Sequence, residues 1–166
     1  MVLHTFLNCW HLSEIESAGM WQLYAPRDGG IAIQTTFDRL VRSFPNDDDG
    51  LFQVHIGRVK YINYDRDSIP DGNAFVPFLH KRKSFEHEHE VRAIIQPIFP
   101  GGEAIADSQP FADGILAEVD LSVLVDRIFV SPTAPQWFFE LVGSISAKYC
   151  ISAPVHRSDL ARDPVY

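Results

Sequence analysis

The 166-residue sequence is poor in cysteine, with two, in methionine, with two, and in positive charge, with 14 Lys and Arg against 22 Asp and Glu. Each shortage excludes something. Cys9 and Cys150 make neither a metal-binding spacing nor a disulfide framework, which suits a reducing cytoplasm. A formal charge of −8 gives no global attraction to a phosphate backbone, so bulk nucleic-acid binding is not expected; Lys81, Arg82 and Lys83 form the one basic cluster. No apolar run approaches the ~18 residues of a membrane helix and no basic-then-apolar leader opens the chain, so neither a membrane partner nor export is indicated. Internal repeats and low-complexity tracts are lacking too.

What is present is a globular composition, 46% hydrophobic with 12 Phe and 3 Trp, and 22% charged. A chain of this length buries a core without staples, and one domain over residues 1–166 is expected.

Residues 2–10 predict an opening strand, followed by a helix through about Tyr24 that Ser13 and Glu16 would start as a capping box. A short strand, IAIQ, leads to a small helix near Phe37–Phe44 that Thr35 or Thr36 could cap. Residues 51–62 alternate as a strand, with Gly57 read as a bulge or bend. Residues 63–73 are loop, 74–83 predict a short helix ending in the basic triplet, and 97–114 are a Pro/Gly-rich loop. GILAEVDL predicts a strand whose Asp120 caps a turn through Leu124; Arg127 to Val130 predicts another. Thr133 and Pro135 open the clearest helix, through Lys148, and a last strand is expected around Ile151 to His156. Strands and helices mix without a strict β-α-β rhythm, which predicts an α+β fold with a mainly antiparallel or mixed sheet and a few packed helices.

The stretch SFEHEHEVRAII, from Ser84, concentrates charge and then turns apolar. Read as a strand over 86–95, it places Glu86, Glu88, Glu90 and Arg92 on one side and His87, His89, Val91 and Ala93 on the other. Crowded carboxylates raise the pKa of at least one of them, with Arg92 and Lys81 or Lys83 tempering the repulsion, and such a group can move a proton or steady a developing cation. Charge placed to guard a strand edge against aggregation is the alternative. The continuation VRAIIQ, read as buried on both sides, favours a site at the mouth of a central strand. His87 and His89, with His80 or His55 and a glutamate, allow a weaker metal reading. Trp137, Phe138 and Phe139 fill too much of the late helix for one buried stripe, which leaves a face for another subunit, and hence a homo-oligomer, or for an absent N-terminal segment.

CWHLSEIESAGMWQLY, GIAIQTT, KRKSFEHEHEVRAII and IFVSPTAPQWF together resemble the bacterial domain-of-unknown-function family 2971. The resemblance covers most of the chain and falls on Cys9, Trp10, Glu16, Ser17, Met20, Trp21, Tyr24, Glu88, Glu90 and Arg92. Members of that family often carry a segment upstream of the Cys-Trp block; this chain begins almost at that block, so site residues from such a segment would be missing. The run Glu88-His89-Glu90-Val91, with Pro100-Gly101 beyond, is similar to the Glu-x-Glu strand of mono-ADP-ribosyltransferases. That likeness implies NAD as cofactor, Glu90 as the group that stabilises the ribose oxocarbenium, and Glu88 as the group that positions or deprotonates the acceptor. His4-Thr5 and Thr35-Thr36 match that family's other elements loosely.

These readings leave three functions: an NAD-using ADP-ribosyltransferase-like or nucleotide-handling enzyme, a noncatalytic ligand- or protein-binding regulatory module, and a metal-dependent hydrolase. The first expects Glu90, Glu88 and Arg92 at the catalytic centre. It expects Glu16, Trp21, Tyr24, Lys81 and Lys83 around the cofactor, a small-molecule nucleotide as partner and no metal. Glu16 and the two rings are also explained by a helix cap and by core packing.

Overall fold

The computed structural model describes residues 5–25, 29–45, 53–96 and 114–162. In chain order the elements are β1 (Phe6–His11), α1 (Ala18–Tyr24), β2 (Ile31–Gln34), α2 (Phe37–Ser43), β3 (Val54–Arg58), β4 (Lys60–Ile62), β5 (His80–Arg82), β6 (Glu90–Ile95), α3 (Leu121–Leu124), β7 (Arg127–Val130), α4 (Gln136–Lys148) and β8 (Val155–Arg157). Single 3-10 segments add Val76–Leu79, Lys83–Glu88 and Asp159–Ala161. The fold is α+β, and no helix among the described residues is long and apolar enough to cross a membrane. The chain divides into two compact units, Met1–Leu12 with Asn46–Ala117, and Ser13–Pro45 with Glu118–Tyr166.

The first unit is organised by β6, which lies between β1 and β3 and is antiparallel to both. Its apolar run explains the central place: Val91, Ala93, Ile94 and Ile95 are all buried, as a strand covered on both faces requires. Phe6 pairs with Ile95 and His11 with Glu90, so the register brings the end of β1 to the mouth of β6. A separate parallel pair, β4 with β5, starts directly after β3. The loop expected over 63–73 forms there. The basic triplet does not end a helix: a 3-10 turn closes at Leu79, and His80 to Arg82 pair with β4. Gly57 sits inside β3 opposite Arg92 rather than at a bulge, and a Cβ there would meet Leu79 Cδ1 at 2.6 Å. The glycine serves close approach of the 76–79 turn to the sheet.

The second unit carries β2, β7 and β8 in that order, antiparallel and then parallel. Thr36 caps α2 through Arg39 N–H, and Asp120 caps α3 through Ser122 and Val123 N–H, both as the sequence predicts. The box of Ser13 and Glu16 does not form. Ser17 caps α1 instead, because the Glu16 carboxylate is drawn to partners far along the chain. Residues 114–120 form no strand, and the last strand begins at Val155.

Candidate functional site

The charged stretch is not one strand. Lys83–Glu88 turns as a 3-10 helix, His89 takes a left-handed conformation at φ 41°, and pairing starts only at Glu90. A left-handed non-glycine residue is sterically costly, which makes His89 a forced reversal point. The reversal decides which charges meet. Glu86 ends on the exposed side of the turn, as do His87 and Lys83, whereas Glu88 and Glu90 are brought back towards each other and buried.

Both buried acids converge on Lys81. Its ammonium donates to Glu88 Oε2 and to Glu90 Oε1, the latter at 2.6 Å. Arg92, two residues along β6 and therefore on the same face as Glu90, donates from Nε to Glu90 Oε2 at 2.7 Å and from Nη1 to the Phe78 carbonyl at 2.6 Å. The Glu90 backbone N–H donates to the Tyr61 hydroxyl at 2.8 Å, and the Phe85 ring lies under the Lys81 ammonium with its centroid 4.7 Å away. The Glu88 and Glu90 side chains are 8% and 7% exposed, against 25% for Lys81, so the opening to solvent is on the lysine side.

Two more residues border this face through the sheet register. Cys9 pairs with Arg92 and His11 with Glu90. The His11 ring donates from Nδ1 to the Glu88 carbonyl at 2.6 Å, and Leu12 N–H donates to the His89 carbonyl at 2.9 Å. The end of β1 thus clamps the reversal at residues 88 and 89. Burial, and then the negative charge of Glu90, push the Cys9 thiol above its ordinary value.

For Glu90 the electrostatics run against a proton-holding acid. Burial pushes Glu90 up, but its hydrogen bonding to Arg92, Glu88 and Lys81, together with the Arg92 charge, outweighs it and holds the carboxyl far below the usual carboxylate range. Lys81 moves the opposite way: burial lowers it, and the bonds and charges of Glu88 and Glu90 more than restore it. Two cations meet the two acids at bonding distance, and for Glu90 this outweighs the cost of burial. Glu90 is therefore held as the anion at neutral pH.

Comparison of the chain with protein-family models, curated proteins and solved structures gives no match.

Of the residues singled out in the sequence, Glu88, Glu90, Arg92 and Lys81 come together, and exposed Lys83 takes no part in their chain of bonds. Glu16, Trp21 and Tyr24 belong to the second unit. There the Glu16 carboxylate accepts from Trp21 Nε1 at 3.0 Å, from Asp159 N–H at 2.9 Å and from the Ser158 hydroxyl. Burial raises its pKa, but these three donors prevail and leave it lowered. Thr36 is used as a helix cap; His4 and Pro100-Gly101 lie outside the described residues. Among the described residues no three or more His, Cys, Asp and Glu side chains group to hold a metal ion.

Tyr61, Phe85, Cys9 and His11 were missed as site members. In the sequence Cys9 belongs to the Cys-Trp block and His11 follows that block. Their places depend on the pairing of β1 with β6, which no local pattern encodes. Tyr61 carried a usable signal: a tyrosine hydroxyl on a half-buried strand needs a polar partner.

Proposed function

We propose that the first unit carries an NAD-using ADP-ribosyltransferase-like site in which Glu90 is the anion that steadies the reacting ribose. The observation that carries the reading is Glu90 itself, buried at a strand mouth, beside Glu88, and kept ionised by Lys81 and Arg92. A fixed negative charge in a water-poor site stabilises a cation that develops during reaction without reorganising. In this reaction the bond from ribose C1′ to the nicotinamide nitrogen breaks, and its electron pair leaves with nicotinamide. With NAD bound, Glu90 would stand against the charge developing at C1′, and Glu88 would take the proton of the acceptor nucleophile that bonds there. Each Glu90 oxygen accepts one of the two cation bonds, and a carboxylate oxygen has two lone pairs, so acceptor capacity remains. The sequence resemblance of Glu88-His89-Glu90-Val91 to the transferase motif supports the same assignment of roles, with Glu90 and Val91 on the strand and Glu88 at the end of the turn before it.

A second reading has its own observation. Two acids and two cations form a balanced set that joins β5, the 83–88 turn and β6, which a noncatalytic binding module would use as a structural clasp. Incubation with NAD and measurement of released nicotinamide separates the two. The transferase reading expects release by the wild type and a loss of about 100-fold or more in Glu90→Gln, the scale set by removing one preorganised electrostatic group. Release that survives Glu90→Gln undiminished rejects Glu90 as the reacting anion. Absence of release from the wild type favours the binding module.

A further inference from the structure

We propose that the outer face of α4 is a two-fold interface between two copies of this chain. Trp137, Leu141, Ile145 and Tyr149 recur every fourth residue along the helix and onto its C-cap, and they are 60%, 44%, 46% and 67% exposed. The helix already satisfies its own unit with the other side: Ser146 is buried, Phe138, Phe139 and Val142 are half-buried, and Arg157 lies over the Phe139 ring. The outer residues are therefore surplus to the packing of the unit.

The charges beside that ridge select the occupant. Glu140, Ser144 and Lys148 form the neighbouring ridge, also spaced by four and also exposed. The acid stands towards the start of α4, the base at its end, and the small serine halfway between. Turning a second helix antiparallel about an axis near residues 143 and 144 lays Trp137 over Tyr149 of the other copy and Leu141 against Ile145. The same turn brings Glu140 beside Lys148, twice over. The face is self-complementary in both apolar and charged groups, as a two-fold interface requires. Ridges at a spacing of four pack into one another's grooves in this manner. The Ser144 hydroxyl donates to the Glu140 carbonyl at 2.9 Å, so covering it strands no polar group. Glu140 also accepts from Gln136 Nε2 at 2.8 Å, a neutral partner that leaves its charge in place.

A single helix of 13 residues is about 20 Å long, which makes a small interface and a dimer that dissociates in the micromolar range. Sedimentation of the full chain over about 1 to 100 micromolar reads this directly. The mass is expected to rise from the 18.8 kDa of one chain towards twice that value. Glu140→Lys or Lys148→Glu alone places like charges together and should weaken the dimer about tenfold, whereas the double exchange restores it. Both positions are exposed, so circular dichroism is expected to stay that of the wild type. Leu141→Glu should leave only monomer. Three outcomes overturn the proposal: a mass of one chain at every concentration, a dimer indifferent to all of these changes, or single exchanges that the double exchange does not repair.

Discussion

Lys81 holds two buried carboxylates with one ammonium, and Arg92 shares only one of them. Replacing Lys81 with Met keeps the length of the side chain and leaves Glu88 without its cation. Breaking a buried ion pair from one side costs about 3–5 kcal/mol, and the partial exposure of Lys81 lowers the expectation here to about 2–3 kcal/mol in a urea titration at neutral pH. The pH profile carries a second signature. Glu90 has a folded pKa below its unfolded value near 4.5, so its contribution is complete above that value and is lost as pH falls towards the lowered folded value. The wild type should therefore lose stability steeply between about pH 5 and pH 3, and Lys81→Met should lose less over the same window. A variant as stable as the wild type, with the same acid limb, would show that the lysine does not govern the pair.

At the scale of elements, Gly57 couples the sheet to the turn that supports Arg92. A methyl group there would meet Leu79 at 2.6 Å and 2.8 Å, and Phe78, the residue before Leu79, supplies the carbonyl that Arg92 binds. Gly57→Ala should cost about 1–3 kcal/mol by overpacking, and adding Leu79→Ala should recover part of it, a non-additivity that thermal or urea unfolding measures. If the two changes simply add, the close contact is not the cause. This contact also marks what could be read beforehand. The apolar run of β6 and the caps at Thr36 and Asp120 were legible because each depends on neighbours within a few residues. The reversal at His89 was not, since alternation in EHEHE fits a strand as well as a turn, and the clamp of β1 on Glu88 and His89 that holds the turn comes from a strand some 80 residues earlier in the chain. Glu88, Glu90 and Arg92 were found for a partly wrong reason: the acids meet through Lys81, across a bend, rather than along one strand face.

On the scale of the whole molecule, each unit is assembled from segments distant in sequence, so its stability rests on bonds that local propensity cannot supply. Glu16 makes such a bond, across 142 residues to Ser158 and 143 to Asp159. Its carboxylate also holds the Trp21 indole, which makes the tryptophan a reporter of the join. Glu16→Ala removes three hydrogen bonds to a charged acceptor and should lower the stability of the second unit by about 1–3 kcal/mol, reduced from the sum of such bonds because the site is partly solvated. Glu16→Gln keeps acceptor oxygen and loses charge, so it should fall between Ala and wild type. The sign with pH follows from the lowered folded pKa: the contribution of Glu16 is present above its unfolded value near 4.5 and is lost as pH drops through the folded one, whereas Gln at this position has no such dependence. Urea unfolding followed by Trp21 fluorescence, with Trp10 and Trp137 replaced by Phe, reads the join directly. An unchanged midpoint in Glu16→Ala would mean that the second unit closes without this link, and that the carboxylate is free for another purpose.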